Sequence, residues 1–228
     1  MEFTLSKEFE KYKDLWDKAM NHNDENAQYE LACKLKNSKD KKIQKEVFGL
    51  FKRASQKEHL MALLEEGICY ETGYGTKRDL MKAIGCYKTV DQLASEKLVF
   101  TPTATGHRTE EKLDILFENP QLFDLLDKLI GEDISKRPIE EVMDFANGGD
   151  ADAQHELAIR YYYGTKDVAK DIKEAEYWWF KAAEQDHEYA VHSLAEKYLY
   201  HHRSEEAVKW YRKYAELRIE WHNNYKSE

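Results

Sequence analysis

The sequence reads EGICYETGYGTKRDLMKAIGCY over residues 66–87 and LAIRYYYGTKDVAKDIKEAEYWW over residues 157–179, and the two stretches share one pattern. In each, a run with apolar residues at helical spacing ends at Gly-Thr-Lys, and an Asp then precedes a second such run. Self-similarity with a period of a few tens of residues is typical of a stacked array of helical repeats. The two stretches therefore predict paired helices rather than a single closed globule.

Local signals set the limits of these predicted pairs. The predicted helices lie at about 58–72, 79–94, 151–163 and 170–185. Gly73 suits the left-handed conformation that ends a helix, and Asp79 can accept the free N–H groups at the start of the next one. Asp171 and Glu174 have the spacing of a capping box. Each pair is thus expected to be two antiparallel helices with a short link.

The order of small, aromatic and acidic residues along each pair resembles the Sel-one-like repeat (SLR), a relative of the tetratricopeptide repeat. In the better pair the matching residues are Ala153, Leu157, Ala158, Tyr161, Gly164, Asp171, Ala175, Trp178, Trp179, Lys181, Ala182 and Ala183. In the other pair they are Ala62, Gly67, Tyr70, Gly73, Gly75, Asp79, Ala83 and Tyr87. The resemblance implies an all-α fold, a right-handed α/α solenoid of antiparallel helix pairs, and a scaffold that binds other proteins.

Two weaker units and a divergent segment complete the predicted array. A C-terminal unit keeps Ala190, Leu194, Ala195, Tyr198, Ala207, Trp210, Tyr211 and Ala215, and the weakest unit keeps Ala27, Leu31, Ala32 and Ala54. We expect one solenoid domain over residues 1–228. It consists of N-terminal repeats (1–95), a divergent helical insert (96–137) and C-terminal repeats with a capping helix (138–228). Within the insert, helices are expected at about 110–118 and 120–130.

The residue types in this pattern have a physical reason. Small residues at fixed positions let paired helices approach closely, while Tyr and Trp fill the gaps between successive pairs. Burial of one large aromatic side chain is worth about 2–3 kcal/mol. Trp178, Trp179, Trp210 and Tyr211 are therefore interpreted as stabilising wedges rather than as ligands of a cofactor.

The composition predicts a helical protein and disfavours nucleic acid as its partner. With 35% charged residues, 13% aromatic residues and three prolines in 228 residues, the chain favours helices over disorder. The net charge of −9 disfavours nucleic acid and suits a basic protein partner. An ordinary solvated surface would give the same charge, so acidity alone does not decide the function.

Cysteine usage and hydropathy predict a cytoplasmic location without membrane association. The three cysteines, Cys33, Cys69 and Cys86, have no metal-binding spacing, and their odd number suits a reducing compartment. The N-terminus lacks the apolar region of a signal peptide. No stretch approaches the roughly 18 apolar residues that are needed to span a bilayer.

No pattern in the sequence predicts catalytic residues, a cofactor or a metal. His155 and Glu156 lack the second His that a zinc protease motif requires, and His201 and His202 lack further ligands for a tetrahedral site. Some secreted SLR proteins with regularly paired cysteines are associated with β-lactam hydrolysis or binding. Because this chain lacks those cysteine pairs, a hydrolase is only a remote alternative.

A surface repeated on the first helix of each unit is the predicted binding site. If Ala, Leu, the small residue and Tyr at offsets 0, 4, 5 and 8 face the paired helix, offsets 3, 6 and 10 project from the other side. The predicted partner-binding residues are Glu30, Glu65, Ile68, Thr72, Glu156, Ile159, Tyr163, Ser193, Glu196 and Tyr200. Glutamates interleaved with Ile and Tyr would suit a basic, partly apolar protein segment. Alternatively, Ile68 and Ile159 contact neighbouring first helices and meet no partner.

These features together predict a non-catalytic protein–protein interaction module, a scaffold or adaptor that binds its partner on the concave face. The alternative is a cytoplasmic immunity or inhibitor protein that neutralises a cognate toxin. A compact acidic solenoid suits both, so the net charge does not distinguish them.

Overall fold

The structure, a computed structural model, describes residues 11–99 and 134–225, with side-chain environments for residues 11–95 and 134–224. Within these ranges it contains ten α-helices, one short 3₁₀ turn and no β-strand. The predicted all-α fold of helix pairs is confirmed. The helices expected at 110–118 and 120–130 lie outside the described residues.

Contacts divide the chain into two compact units. The first unit comprises residues 1–95 and 218–228, and the second comprises residues 96–217. The end of the expected capping helix, from Arg218 on, therefore groups with the N-terminal repeats. There the Arg218 guanidinium lies 3.0 Å from the carboxylate of Asp91.

The first unit is a series of helices in which each packs on the next. Its helices are α1 (Lys13–Met20), α2 (Glu25–Leu35), α3 (Lys41–Ser55), α4 (Leu60–Thr72) and most of α5 (Leu80–Val99). α1 packs on α2, α2 on α3, and α3 on α4. Their common core includes Leu31, Val47, Phe51 and Ala62, all of which are buried.

The second unit repeats this arrangement. A 3₁₀ turn (Ile134–Lys136) precedes α6 (Ile139–Asn147), α7 (Ala151–Tyr163), α8 (Ile172–Ala183), α9 (Glu188–Tyr200) and the greater part of α10 (Ser204–Tyr225). α6 packs on α7, α7 on α8, and α8 on α9. Val142, Ala146, Ala153 and Leu157 form a buried cluster between α6 and α7.

A cap with the same geometry begins the first helix of each repeat. Three residues before the buried Ala of the helix, a side chain accepts a hydrogen bond from that alanine's backbone N–H, at 2.8–3.2 Å; the capping residues are Asp24, His59, Asp150 and His187. The residue before each cap has a left-handed φ: Asn23, Glu58, Gly149 and Asp186. These caps satisfy donors that a helix start leaves without a partner.

The two histidine caps also contact the preceding repeat. The ring of His59 stacks on Tyr29 at a centroid distance of 4.6 Å, and the ring of His187 lies 4.8 Å from that of His155. Tyr29 and His155 lie at the same position in their helices, two residues after Ala27 and Ala153. These alanines belong to the set that occupies one fixed position in every first helix, Ala27, Ala62, Ala153 and Ala190, called the conserved Ala below. One side chain therefore both begins a helix and docks it against its neighbour.

Small residues bring the paired helices together, as the sequence predicts. Ala62, Ala153, Ala158 and Ala195 are completely buried. At Gly67, a Cβ atom would lie 2.4 Å from Cε1 of Tyr87, so α4 and α5 are in contact where glycine leaves room for the ring. This contact is closer than any side chain at position 67 would permit.

The turns show that the matching Gly-Thr-Lys phrases are not equivalent in space. α4 ends at Gly73 and α7 at Gly164, and these two glycines lie at the same distance from the conserved Ala of their helices. Gly73 is in the predicted left-handed conformation. Gly75 has another role, because a Cβ there would lie 2.1 Å from the carbonyl oxygen of Gln44. In the last pair, His202 takes a left-handed φ of 57° without a glycine.

Candidate binding groove between α7 and α9

A groove of about 400 Å³ lies along the first helices of the second unit. Its walls come from α7, α8 and α9, and its lining residues are Ile159, Tyr162, Tyr163, Trp179, His192, Ser193, Glu196, Lys197 and Tyr200. Among the predicted partner-binding residues, the groove brings together Ile159, Tyr163, Ser193, Glu196 and Tyr200.

Two tyrosines give the groove its exposed aromatic surface. Tyr163 and Tyr200 are the last residues of α7 and α9, and 72% and 76% of their surfaces are exposed. Tyr163 packs edge-to-face on Tyr162 with a centroid distance of 4.9 Å. Exposed tyrosines beside an aliphatic side chain such as Ile159 are typical of surfaces that bind another protein.

Trp179 is the buried aromatic member of the lining, with 4% of its surface exposed. Its ring lies 5.1 Å from that of Tyr162, so Tyr162 contacts both Trp179 and the exposed Tyr163. The indole Nε1 of Trp179 is buried and has no hydrogen-bond acceptor among the described residues. A buried donor of this kind is uncommon in folded proteins, where nearly all such groups are paired.

The polar side of the groove is formed by side chains of α9, of which Glu196 is bound by a residue of α10. The carboxylate of Glu196 accepts a hydrogen bond from the hydroxyl of Tyr211 and lies 3.7 Å from Nε2 of His192. Burial and the bond to Glu196 raise the pKa of Tyr211 above its ordinary value. The phenol therefore stays neutral, and the negative charge of Glu196 remains in the groove.

Lys197 is a buried cation in the lining that has its own counter-ion. Its ammonium lies 2.5 Å from the Glu176 carboxylate on α8, which also accepts a hydrogen bond from the Tyr198 hydroxyl. Burial alone would raise the pKa of Glu176, but the bonds from Lys197 and Tyr198 outweigh it and lower the pKa. Lys197 therefore adds little net charge to the groove.

Glu156 does not line the groove, although the sequence predicted it as a partner-binding residue. Its carboxylate lies 2.7 Å from Nε of Arg160. The same guanidinium donates hydrogen bonds of 3.0 Å to the carbonyl oxygens of Ser135 and Arg137. Glu156 thus helps to fix the 3₁₀ turn against α7.

The remaining predicted binding residues lie in the first unit. Glu30 is exposed and lies 3.3 Å from the ammonium of Lys34, whereas Glu65 is largely buried and bound to Lys36 at 2.8 Å. The hydroxyl of Thr72 donates to the carbonyl oxygen of Ile68 at 2.8 Å, and Ile68 is half-buried. The glutamates of the predicted face are therefore engaged within the chain, and the tyrosines offer its more accessible surface.

Four lining residues were not among the predicted ones: Tyr162, Trp179, His192 and Lys197. The offset rule placed only three positions per helix on the outer face, whereas the groove takes in neighbouring positions and the second helix. For Trp179 a signal existed, since Trp stands where the other pairs have Tyr87 and Tyr211. The interpretation of Trp179 as a wedge agrees with its burial, but nothing in the sequence indicates that its N–H lacks an acceptor.

Reactive side chains are scattered over the described part of the chain. Residues 11–99 and 134–225 contain no group of three His, Cys, Asp or Glu side chains that could hold a metal ion. Cys33, Cys69 and Cys86 are free thiols, and burial raises the pKa of Cys69 and of Cys86 to about 12. Neither of these two thiols is therefore a reactive thiolate near neutral pH.

None of the helices in the described ranges has the length and apolar character that crossing a bilayer requires.

The Sel1 repeat family profile matches this chain in three places. The matches cover residues 60–89, 151–187 and 204–218, which correspond to α4 with half of α5, to α7 with α8, and to the start of α10. A search of curated proteins finds no significant match.

Two solved structures are similar to this chain at low identity. A protective antigen present in uropathogenic Escherichia coli strains, described as displaying an SLR fold, has 21% identity and a TM-score of 0.35; the match covers 88% of this chain and 40% of that one. A Sel1 repeat protein from Oxalobacter formigenes has 19% identity and a TM-score of 0.37, covering 85% and 72%. This chain thus spans less than half the length of the first.

Proteins with Sel1 repeats are generally scaffolds for interactions between proteins and are typically non-catalytic. The matched residues here carry the features that build the fold: the capped first helix, the small residues between paired helices, and the buried aromatic on the second helix. The chain therefore contains Sel1-like repeats at the three matched places.

Proposed function

We propose that this protein is a non-catalytic adaptor that holds a segment of another protein in the groove between α7 and α9. The observation that carries the proposal is the exposure of Tyr163 and Tyr200 on either side of one groove. Water-exposed aromatic rings on a rigid helical frame provide a large contact area at a low cost in side-chain entropy.

The groove is better suited to binding a polypeptide than to catalysing a reaction. Its polar groups are a carboxylate, an imidazole and a buried cation that already has a counter-ion, and they do not converge as an acid, a base and a nucleophile would. A volume of about 400 Å³ lies at the lower end of the range for ligand sites. A few residues of an extended chain fit such a space.

Charge supports a basic partner. The chain carries a net charge of −9, and Glu196 adds a carboxylate to the groove itself. A positively charged partner would be attracted over the range of the Debye length, which raises the rate of association. The free thiols of Cys33, Cys69 and Cys86 suit a reducing compartment, so we place the interaction in the cytoplasm.

The test is capture of a partner by matched variants of the full chain. Tyr163→Ala with Tyr200→Ala removes the exposed rings, and we expect at least a tenfold loss of captured protein, because each aromatic anchor at an interface contributes about 1–2 kcal/mol. Tyr189→Ala is the control: Tyr189 lies on the same helix as Tyr200 and is 67% exposed, but does not line the groove. Equal loss in the control, or no loss in the double variant, would contradict the proposal.

The acidity of the chain also favours a second candidate, an inhibitor of one basic toxin. The two functions differ in what happens to the captured partner. An inhibitor abolishes an activity of its partner at a one-to-one ratio, and co-expression protects cells from that partner. An adaptor leaves the partner active and binds a second protein at the same time.

A further inference from the structure

The second helices α5, α8 and α10 each carry a buried aromatic residue four positions after an Ala, and the polar groups of these three side chains differ in their hydrogen bonding. The hydroxyl of Tyr87 donates to the carboxylate of Glu71 at 2.9 Å, and the hydroxyl of Tyr211 donates to Glu196. Trp179 occupies the equivalent position, four residues after Ala175 of α8, yet its Nε1 has no acceptor in the described part of the chain.

The sequence of α7 explains this difference. Glu196 lies at offset 6 of its helix and Glu71 at offset 9 of its own, counted from the conserved Ala of each helix. In α7, the residues at offsets 6 and 9 are Ile159 and Tyr162, neither of which is a carboxylate. Both line the groove together with Trp179. The position that supplies an acceptor elsewhere is here an apolar wall of the groove.

A buried N–H without an acceptor destabilises the free protein, so an incoming acceptor forms a bond without displacing an internal one. A ligand carboxylate is disfavoured there, because Glu196 is in the same lining and the chain is acidic overall. A neutral backbone carbonyl avoids that repulsion. The indole of Trp179 therefore favours a peptide bond of an extended partner segment as its acceptor.

The rest of the lining favours a cationic side chain next to that carbonyl. Tyr162 and Tyr163 meet at 89°, and the ammonium of Lys170 already lies 5.7 Å from the centroid of the Tyr162 ring, so this aromatic wall attracts a cation within the chain itself. The exposed ring of Tyr163 and the carboxylate of Glu196 line the same groove. Aromatic faces with a nearby carboxylate attract a cation. Arginine fits better than lysine, because its planar guanidinium stacks on rings and carries several N–H donors for a carboxylate.

We infer that the groove recognises an extended, arginine-containing segment of a partner protein, with a backbone carbonyl accepting from Nε1 of Trp179 and the guanidinium lying among Tyr162, Tyr163 and Glu196. This inference rests on the proposed function and specifies the chemistry of the partner. Trp179 is the residue that aligns the peptide backbone, and the tyrosines with Glu196 select its side chain.

The indole N–H resonance of Trp179 tests the inference directly. The chain has five tryptophans, so the ¹⁵N-labelled protein gives few indole signals, and the one that Trp179→Phe removes is that of Trp179. The probes are blocked pentapeptides with Arg, Lys, Gln or Glu between pairs of alanines. We expect a saturable downfield shift of the Trp179 indole proton with the Arg peptide, and binding about five- to tenfold tighter than with the Gln peptide.

Each other outcome would overturn the inference. A Glu peptide that binds as well as the Arg peptide would exclude recognition of a cation. An indole signal that no peptide moves would exclude the hydrogen bond from Nε1 of Trp179 to a peptide, and a signal that depends on protein concentration would indicate that a second copy of the chain occupies the groove.

The inference can fail while the proposed function survives. If capture of the partner depends on Tyr163 and Tyr200 but the captured segment leaves the Trp179 indole signal unchanged, the groove binds protein without this hydrogen bond. If capture does not depend on the tyrosines, the proposed function itself fails.

Discussion

The helix pairs α4–α5 and α9–α10 differ from the pair α7–α8 in whether the buried aromatic side chain of the second helix has a hydrogen-bond acceptor within the pair. In the first two, a buried Tyr on the second helix bonds to a Glu on the first helix of the same pair. In α7–α8, the buried aromatic is Trp179 and the corresponding first-helix side is apolar and open to the groove. The first two pairs satisfy the polar group of this aromatic side chain internally, whereas in α7–α8 the proposed partner would supply the missing acceptor.

The largest expected effect on stability comes from a substitution in α8, where the side chain of Glu176 has a partner and the N–H of Trp179 has none among the described residues. Glu176→Gln would leave the ammonium of Lys197, 6% exposed, without its counter-ion. Removal of one partner of such a pair costs about 3 kcal/mol. We expect the free energy of unfolding of the second unit to fall by that amount in a urea titration monitored by circular dichroism.

The pH dependence of the same variant supplies a second measurement. Because the pKa of Glu176 is lowered in the folded protein, its contribution is fully present above the ordinary carboxyl pKa of about 4.3 and is lost as the pH falls towards the lowered value. The difference between the original protein and Glu176→Gln should therefore shrink below that pH. Glu184→Gln, at the exposed end of the same helix, is the control and should change stability by less than about 0.5 kcal/mol.

Gly67→Ala tests the close contact that positions Tyr87 against α4. The added Cβ would lie 2.4 Å from the ring of Tyr87, and overpacking of this kind costs about 2 kcal/mol. The equivalent residues of α7 and α9 are Ala158 and Ala195, and the pair that contains Ala195 also has a buried tyrosine, so the lack of room for Ala is particular to α4–α5. Gly85→Ala, where a Cβ meets nothing within 4 Å, should instead stabilise α5 by up to about 1 kcal/mol. Thermal unfolding that moves in the same direction for both variants would contradict the steric explanation.

Tyr87→Phe measures what an internal acceptor contributes. The substitution preserves the ring and removes the donor to Glu71, so we expect a loss of about 1.5 kcal/mol in the free energy of unfolding. Tyr211→Phe should behave in the same way through Glu196. If both variants are as stable as the original protein, these hydrogen bonds do not distinguish the closed pairs from α7–α8.

The smallest expected effect comes from giving α7–α8 the arrangement of α9–α10. Trp179→Tyr with Ile159→Glu places a phenol and a carboxylate at the offsets of Tyr211 and Glu196. In a double-mutant cycle, we expect the two changes to couple favourably by about 1 kcal/mol. The double variant should also lose its affinity for the arginine peptide, since the internal acceptor replaces the external one. Additive stabilities would show that the two pairs differ in more than these side chains.

Much of the fold could be predicted because the repeat depends on short-range signals. The conserved Ala of each first helix, the aspartates at Asp24, Asp150 and Asp171, and Gly73 at the end of α4 each act within one turn of helix. Such signals are read from neighbouring residues in the sequence. The structural equivalence of Gly73 with Gly164 was harder to predict. The shared Gly-Thr-Lys phrase aligns Gly164 with Gly75 instead, because the two turns differ in geometry.

The groove could be predicted only in part. Helical offsets brought Tyr163, Ser193 and Tyr200 to one face, since that face is a property of a single helix. Offsets could not show that Glu156 binds Arg160 while Glu196 lines the groove, because this depends on which elements pack beside each carboxylate. Nor could offsets show that Trp179 lacks an acceptor, because the surroundings of its N–H depend on how two helices are placed relative to each other.

The histidine caps have a consequence for how the array forms. The rings of His59 and His187 contact Tyr29 and His155 of the preceding repeat, while their Nδ1 atoms accept hydrogen bonds from the backbone of Ala62 and Ala190. The same side chain therefore joins the start of a helix to the docking of that helix on its neighbour. Loss of either ring contact is therefore expected to weaken the start of a helix as well as the docking of two repeats.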